Sequence, residues 1–229
     1  MIKENKVSKY LLYAIGEIIL VVIGILIALQ INNWNEEKKT KSEMNGIYQS
    51  IVDELETDIQ TLDNIIPDFA WKNKIIKRII NSNPTREEWT LNDSLFRSFL
   101  STYDFEIAQN RMQQLKSKVG YNQETKELNN KIVDFYNKQL IDLNVKLEEH
   151  TISYNRNVSY WEENTEWFGD AYSIFDFSKL GAYTQDNPIF RNKIIWYGIV
   201  LRRLESALRK YQTEAMELKT MINSHLEND

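Results

Sequence analysis

Side chains that could carry acid–base, nucleophilic or metal chemistry are few in this chain and lie far apart. It has no cysteine and only two histidines, His150 and His225. Leu147 and Ile222 stand three residues before them, where the Glu-x-x-His pattern of a di-iron bundle needs a glutamate. Phosphate-binding glycine loops, serine-hydrolase elbows and zinc-protease motifs are also missing from the sequence. We therefore predict no catalytic residue, no metal site and no cofactor, and we expect that the protein is not an enzyme.

Two polar features have both a functional and a structural interpretation. His150 falls on an apolar helical stripe, where a hydrogen-bonded core histidine is more typical than a pH-sensitive switch. The first predicted helix carries a cluster of carboxylates: Asp53, Glu54, Glu56 and Asp58. A calcium loop would need such oxygens in a turn with a glycine, whereas these lie within a helical pattern. We interpret them as a solvated face of the helix.

Residues 154–183 hold the strongest candidate for a binding surface. Nine of these 30 residues are aromatic, and carboxylates are interleaved with them. One hypothesis makes the segment a recognition tip, where aromatic faces and carboxylates meet a glycan, peptide or protein partner. The other makes it a lid that closes one end of a helical core. The candidate recognition patch comprises six residues: Trp161, Trp167, Phe168, Tyr172, Phe175 and Phe177.

The elements that must position these side chains are predicted to be helices. Between Phe190 and Ile222, ten apolar positions follow one another in steps of four and three, a spacing typical of a bundle helix. Similar stripes run through 48–69 and 133–154. The chain has only 7 Gly and 3 Pro, too few turn residues for a β-sandwich or a many-loop α/β enzyme. The predicted fold class is therefore all-α.

The predicted organisation is a basic N-terminal tail, a single transmembrane helix and a helical bundle with long helices. The tail covers 1–9, the anchor 10–34 and the bundle domain 35–229. The long helices of the bundle domain are expected at about 36–81, 123–165 and 188–226. Short helical pieces are expected at 85–119, and an aromatic connection at about 166–187. Pro67 is expected to kink or end the first helix. Short connections make neighbouring helices antiparallel, which predicts an up-down-up-down bundle. A parallel coiled-coil oligomer is the alternative.

The anchor is predicted from residues 11–29, a run of 19 with a single charged side chain. As a helix this run spans about 28 Å, close to the thickness of a bilayer core. A signal peptide is the rival interpretation, but its apolar region typically has only about 7–15 residues. Lysines are equally frequent on both sides of the run, and the terminal amine adds one charge before it. The positive-inside rule therefore favours a cytoplasmic N-terminus, with the long domain translocated.

Three motifs carry a family resemblance: Tyr13-Ala14-Ile15-Gly16-Glu17, the run from Val21 to Leu29, and Asn33-Trp34-Asn35. With them, the N-terminal part of the chain resembles a large family of uncharacterised bacterial single-pass membrane proteins, whose domain has no known function. A weaker similarity lies at 115–120. The resemblance implies the bacterial inner membrane; with the orientation given above, the bundle domain is then expected in the periplasm. It transfers no catalytic residue.

Small residues on one face of the anchor suggest contact with another helix. Gly16, Gly24 and Ala28 share this face at spacings of eight and four, and Glu17 lies beside them. Small residues let membrane helices approach closely, and an intramembrane carboxyl often faces a partner. One hypothesis is therefore a homo-oligomer formed through the transmembrane helices, or through the bundle helices. The alternative is that Glu17 extends to the near interface and the glycines have no role.

Two functions fit these patterns. A net charge of −5 argues against nucleic acid as a partner. The first hypothesis is a non-catalytic scaffold or sensor-like interaction module, held in the lipid bilayer and facing an unknown envelope protein. The second is an extracytoplasmic domain that binds a ligand or glycan through residues 154–183.

Overall fold

The computed structural model describes residues 4–101, 105, 107, 115 and 125–228. Every regular element in these ranges is helical and none is a strand, which confirms the all-α prediction. By compactness the chain divides into two units, 1–48 and 49–229. The calls on 85–119 and on the start of 123–165 fall partly outside the described residues.

The first unit is built on helix α1, Glu4–Ser82, which begins here and ends in the second unit. Its apolar run is exposed along its whole length; Leu12 is 69% exposed, Leu20 74% and Ile27 53%. Among the described helices, α1 is the one whose length and composition suffice to cross a membrane. The helix runs through the Asn45-Gly46 pair and through Pro67, and it ends just before Asn83-Pro84.

The second unit holds the end of α1 and all later elements. These are α2 (Arg86–Leu91), α3 (Asp93–Leu100), α4 (Lys126–Phe135), a π-helical turn (Tyr136–Leu140), α5 (Ile141–Asn164), α6 (Trp167–Ser173), α7 (Ser178–Thr184) and α8 (Pro188–Glu227). The segment expected as an irregular connection at 166–187 therefore contains two short helices. Each has seven residues, too few to show a periodic apolar stripe in the sequence.

Side-chain caps fix where several helices begin. Thr85 and Glu88 form a reciprocal capping box at the start of α2. The side chain of Asn92 accepts the Ser94 N–H at the start of α3. Asn187 accepts two N–H groups at the start of α8, where a proline occupies the first turn and lacks the N–H that would need a partner.

Long-range side-chain contacts show that α8 runs antiparallel to both α5 and the second half of α1. Along α5 the partners descend on α8 as the residue number rises: His150 with Tyr197, then Asn157 with Lys193. Along α1 the same holds, with three pairs: Asp63–Gln212, Asn73–Glu205 and Ile80–Arg191. The up-down-up-down order of four legs stays a prediction, because its second leg, at 85–119, lies partly outside the described residues.

Pro67 does not end α1, and the helix continues to Ser82. A proline inside a helix loses one backbone hydrogen bond and costs about 3 kcal/mol. Burial on both sides offsets that cost, since Ile66, Phe69 and Ile76 are all almost fully excluded from solvent. Tertiary packing therefore decides the length of this helix.

Candidate functional site

The predicted recognition patch divides into an inner and an outer half. The inner half consists of Trp161, Trp167 and Phe177, which are all buried. The Trp161 ring centroid lies 5.2 Å from that of Phe99 on α3 and 5.7 Å from that of Trp167. These rings close the end of the core where α5 finishes and α8 begins, so they act as a lid and are not free to stack on a sugar.

The outer half faces solvent. Phe168 is half-buried, Tyr172 is 47% exposed and Phe175 is 70% exposed. The rings of Phe168 and Tyr172 lie 5.2 Å apart, and Tyr172 also packs edge-on against Phe96 at 6.0 Å. Only this half of the patch can meet another molecule without a change in the core.

Ile174 is a surface residue that sequence reasoning missed. It is 68% exposed and precedes Phe175, so two large apolar side chains stand next to each other in solvent. We call them the 174–175 turn. Ile174 is not aromatic, so it was not part of the predicted patch. The signal in the sequence was an apolar pair between Ser173 and Asp176, outside any helical stripe.

Backbone and ionic contacts hold the 174–175 turn at the end of α6. The Ile174 and Asp176 N–H groups both donate to the Asp170 carbonyl, at 3.1 and 3.3 Å. The Asp176 side chain accepts the Ser178 N–H, which lowers the pKa of that carboxyl. The Lys179 ammonium lies 2.7 Å from the Asp170 carboxylate, which raises the lysine pKa. Phe175 is held at a φ of 56°, a left-handed conformation that favours glycine.

The chain on either side of the turn is rich in carboxylates. Residues 158–190 contain one cation, Lys179, against six carboxylates: Glu162, Glu163, Glu166, Asp170, Asp176 and Asp186. All of these carboxylates except Asp170 are exposed. The segment that contains the turn is therefore acidic in sequence, and Asp176 is the exposed carboxylate next to the apolar pair.

A buried polar cluster lies beside the lid, where α1, α5 and α8 meet. The Lys72 ammonium donates a 2.7 Å hydrogen bond to the Ser101 carbonyl and lies 3.6 Å from the Asp68 carboxylate. Nε2 of His150 lies 3.2 Å from the Tyr197 hydroxyl. Burial lowers the pKa of Lys72 to about 8, although Asp68 opposes this shift. Burial and the nearby Lys72 charge lower the pKa of His150 to about 4. His150 thus occupies the position of a core histidine.

A second buried cluster corrects the interpretation of the carboxylates on α1. Asp53 and Glu56 are exposed, but Asp58 is only 2% exposed and accepts a 2.8 Å hydrogen bond from the Tyr211 hydroxyl. Burial, followed by the charges of Glu54 and Asp58, raises the pKa of Tyr136 in the π-helical turn. The four carboxylates are therefore not one solvated face, because helical spacing turns Asp58 toward α8.

The anchor residues singled out for helix packing all lie on the exposed surface of α1 in the single chain. A Cβ atom built on Gly16 or Gly24 would meet nothing within 4 Å. Glu17 and Ala28 are exposed as well. The face is therefore open along the apolar run.

Comparison with known proteins gives one match. Residues 17–122 match the model of a family of unknown function, DUF6090. No curated protein and no solved structure matches the chain. The match confirms the resemblance to an uncharacterised family.

The DUF6090 match covers slightly under half of the chain. It includes most of the apolar run, the rest of α1, α2 and α3, together with the weaker similarity at 115–120. Tyr13–Gly16 precede it. The 174–175 turn, α5 and α8 follow it, so the DUF6090 match itself carries no information about the outer half of the patch.

Proposed function

We propose that this chain is a non-catalytic interaction module, anchored in the bacterial inner membrane by one transmembrane helix. The observation that carries the proposal is the exposed apolar run at 11–29. Its side chains make no contact that would remove them from water in the chain itself; Ile18 is 63% exposed and Leu26 57%. Exposed apolar surface of this extent is typical of a lipid-facing segment.

We further propose that the N-terminus is cytoplasmic and that the helical unit at 49–229 is periplasmic. Equal numbers of flanking lysines leave the terminal amine as the deciding charge. A domain as long as this one is translocated largely regardless of its own charge. The net charge of −5 is then carried mostly outside the cytoplasm.

An interaction role is supported by the location of the titratable side chains with strongly shifted pKa values, which lie inside the core. The groups whose pKa values depart most from their usual range, such as His150 and Tyr211, are enclosed in the core and lie against Tyr197 and Asp58. They stabilise the helix contacts and have no exposed face for a substrate. The exposed apolar run of α1 and the outer half of the recognition patch offer surfaces that suit binding to another macromolecule.

Self-association through the anchor is part of the proposal. Gly16, Gly24 and Ala28 lie on one open face of α1, and Glu17 lies beside it. Two such helices can approach closely, and a carboxyl between them is shielded from lipid. An in-membrane association assay should show that Gly24→Leu and Glu17→Leu each reduce association several-fold, while Val22→Leu does not. Unchanged association in both variants would exclude this interface.

Fractionation and a topology reporter test the anchor. The full chain should stay in the membrane pellet after alkaline extraction, and Leu20→Arg combined with Ile23→Arg should release it. Ile174→Arg combined with Phe175→Arg adds the same charges elsewhere and should leave the chain in the pellet. A phosphatase active only in the periplasm, fused to the C-terminus, should be active. An active cytoplasmic fluorophore in its place would reverse the proposed orientation.

A further inference from the structure

We propose that the seam between α5 and α8 holds a binding site for a phosphate group, either free phosphate or the phosphate of a larger molecule. The residues that form this site are Ser153, Arg156 and Asn157 on α5 and Lys193 on α8. The site goes beyond the interaction role proposed above. It is independent of the membrane anchor, because all four residues belong to the second unit.

Two cations meet at this seam without a carboxylate between them. The Lys193 ammonium lies 3.5 Å from the Arg156 carbonyl oxygen and 4.1 Å from the centre of the Tyr160 ring. Burial, followed by the positive charge of Arg156, lowers the pKa of Lys193. Within 4–101 and 125–228, neither cation forms an ion pair, and Glu149 on α5 is already paired with Lys146. A bound anion would therefore relieve the repulsion between the two cations.

Two buried polar side chains beside the cations lack a hydrogen-bond partner among the described residues. Asn157 is 6% exposed, and its Oδ1 accepts from the Lys193 ammonium at 3.4 Å, which leaves Nδ2 as an unpaired donor. Ser153 is 4% exposed, and its hydroxyl is also unpaired. It lies one turn before Asn157, on the same face of α5. Buried polar groups are paired in the great majority of cases, so these two donors indicate that the seam receives an acceptor from outside the chain.

The chemistry of the four side chains selects a phosphate group. Phosphate monoesters carry about 1.5 to 2 negative charges at neutral pH and have three strong acceptor oxygens. Two cations match this charge, and the amide and hydroxyl donors supply hydrogen bonds that a charge alone does not. Hydrogen bonds from lysine and arginine to phosphate are also stronger than those between neutral groups. A single carboxylate would balance only one of the two cations.

Exposed apolar side chains border the cations on both helices. Ile189 and Trp196, which are 49% and 52% exposed, lie one turn before and one turn after Lys193 on α8. Ile152 is 51% exposed and lies one turn before Arg156 on α5. Residues three or four apart share a face of a helix, so each apolar side chain lies beside a cation. We therefore expect a phosphate that carries an aromatic group to bind more tightly than inorganic phosphate.

Isothermal titration calorimetry on the detergent-solubilised full chain tests the site with two probes, inorganic phosphate and phenyl phosphate, at constant ionic strength. We expect both probes to bind, with the lower dissociation constant for phenyl phosphate. Lys193→Gln and Arg156→Gln should each weaken binding at least tenfold. Arg202→Gln is the matched control, because Arg202 is an exposed cation nine residues after Lys193, on the opposite side of α8. It should change the dissociation constants less than twofold.

Asn157→Asp separates binding from folding. Its carboxylate would face Lys193 and take the place of the anion, so phosphate binding should fall at least tenfold. The thermal midpoint without phosphate should stay the same or rise. Binding of neither probe would overturn the proposal, as would binding that is unchanged in both Lys193→Gln and Arg156→Gln. Equal affinities for the two probes would assign the site to free phosphate, and tighter binding of phenyl phosphate would assign it to a phosphate ester.

Discussion

The hydroxyl of Tyr211 donates a 2.8 Å hydrogen bond to the carboxylate of Asp58, although 153 residues separate the two along the chain. Neither side chain is accessible to solvent beyond 2%. Burial, followed by the Asp58 charge, raises the pKa of Tyr211, so the phenol stays protonated and remains a donor. The bond joins α1 to α8 within the core.

Removing the donor should therefore be costly. Tyr211→Phe leaves Asp58 with one hydrogen bond fewer in the core, and we expect a loss of about 1.5–3 kcal/mol in the free energy of unfolding, since the acceptor is charged. Chemical denaturation of the detergent-solubilised chain measures this loss. In an Asp58→Leu background the same change should cost less than about 1 kcal/mol. Equal costs in both backgrounds would show that packing, and not the hydrogen bond, is responsible.

Acidification should destabilise the fold through His150. Its pKa is about 4 in the folded chain and about 6.5 when unfolded, so the unfolded state binds more protons between these values. Stability therefore falls as the pH drops from 6.5 to 4, by up to about 3 kcal/mol. The facing groups are Lys72 on α1, which opposes a second positive charge, and Tyr197 on α8.

Two glutamine variants separate the contribution of His150 protonation to acid destabilisation from other contributions. His150→Gln should remove most of the slope in the free energy of unfolding between pH 6.5 and 4. His225→Gln, near the end of α8, should keep the slope of the parent chain. A slope that persists in His150→Gln would assign the acid sensitivity to carboxylates instead.

Gly198 is a close-packing position between α8 and α1. A Cβ atom at Gly198 would lie 2.7 Å from Cγ2 of Ile76. We expect Gly198→Ala to destabilise the chain by about 1–3 kcal/mol, because α8 and α1 would have to move apart. Gly169→Ala is the matched control, since its Cβ would meet nothing within 4 Å and alanine is the better helix former. A thermal midpoint that falls as much for Gly169→Ala would remove the steric explanation.

The contribution of the α2 capping box to the free energy of unfolding should be measurable separately. The Thr85 hydroxyl accepts the Glu88 N–H at 3.2 Å, and the Glu88 carboxylate accepts the Thr85 N–H at 2.8 Å, which lowers the pKa of Glu88. Thr85→Ala should reduce the free energy of unfolding by about 1 kcal/mol, and Thr85→Ser should retain most of it. A loss of the same size in Thr85→Ser would point to the lost methyl group instead of the cap.

The sequence predicts the long helices well because their burial is periodic. All ten positions of the stripe from Phe190 to Ile222 are buried, and the helix that carries them begins at Pro188, where the predicted range 188–226 begins. The caps at Thr85 and Asn92 depend on equally local side chains. Where one face of a helix is buried along its length, the spacing of the apolar residues is sufficient to predict that helix.

The candidate site could be predicted only in part, because its properties depend on distant partners. The burial of Trp161 follows from Phe99 and Phe190, which no local pattern brings to it. The sequence around Asp58 predicts a surface carboxylate, because its buried partner Tyr211 lies far away in the chain. Ile174 and Phe175 are exposed because they lie in the turn between two seven-residue helices. Helices this short show no periodic apolar pattern in the sequence.

The π-helical turn at Tyr136–Leu140 bears on how this chain tolerates changes in its length. Such a turn accommodates one residue more than an α-helix would hold, while the helices on either side keep their faces toward the same core. Removing one residue from this turn would therefore leave His150 and Trp161 directed inward. Removing one residue within α5 would rotate every later side chain of that helix by about 100°. The turn therefore makes the register of α5 independent of one residue in the length of the preceding segment.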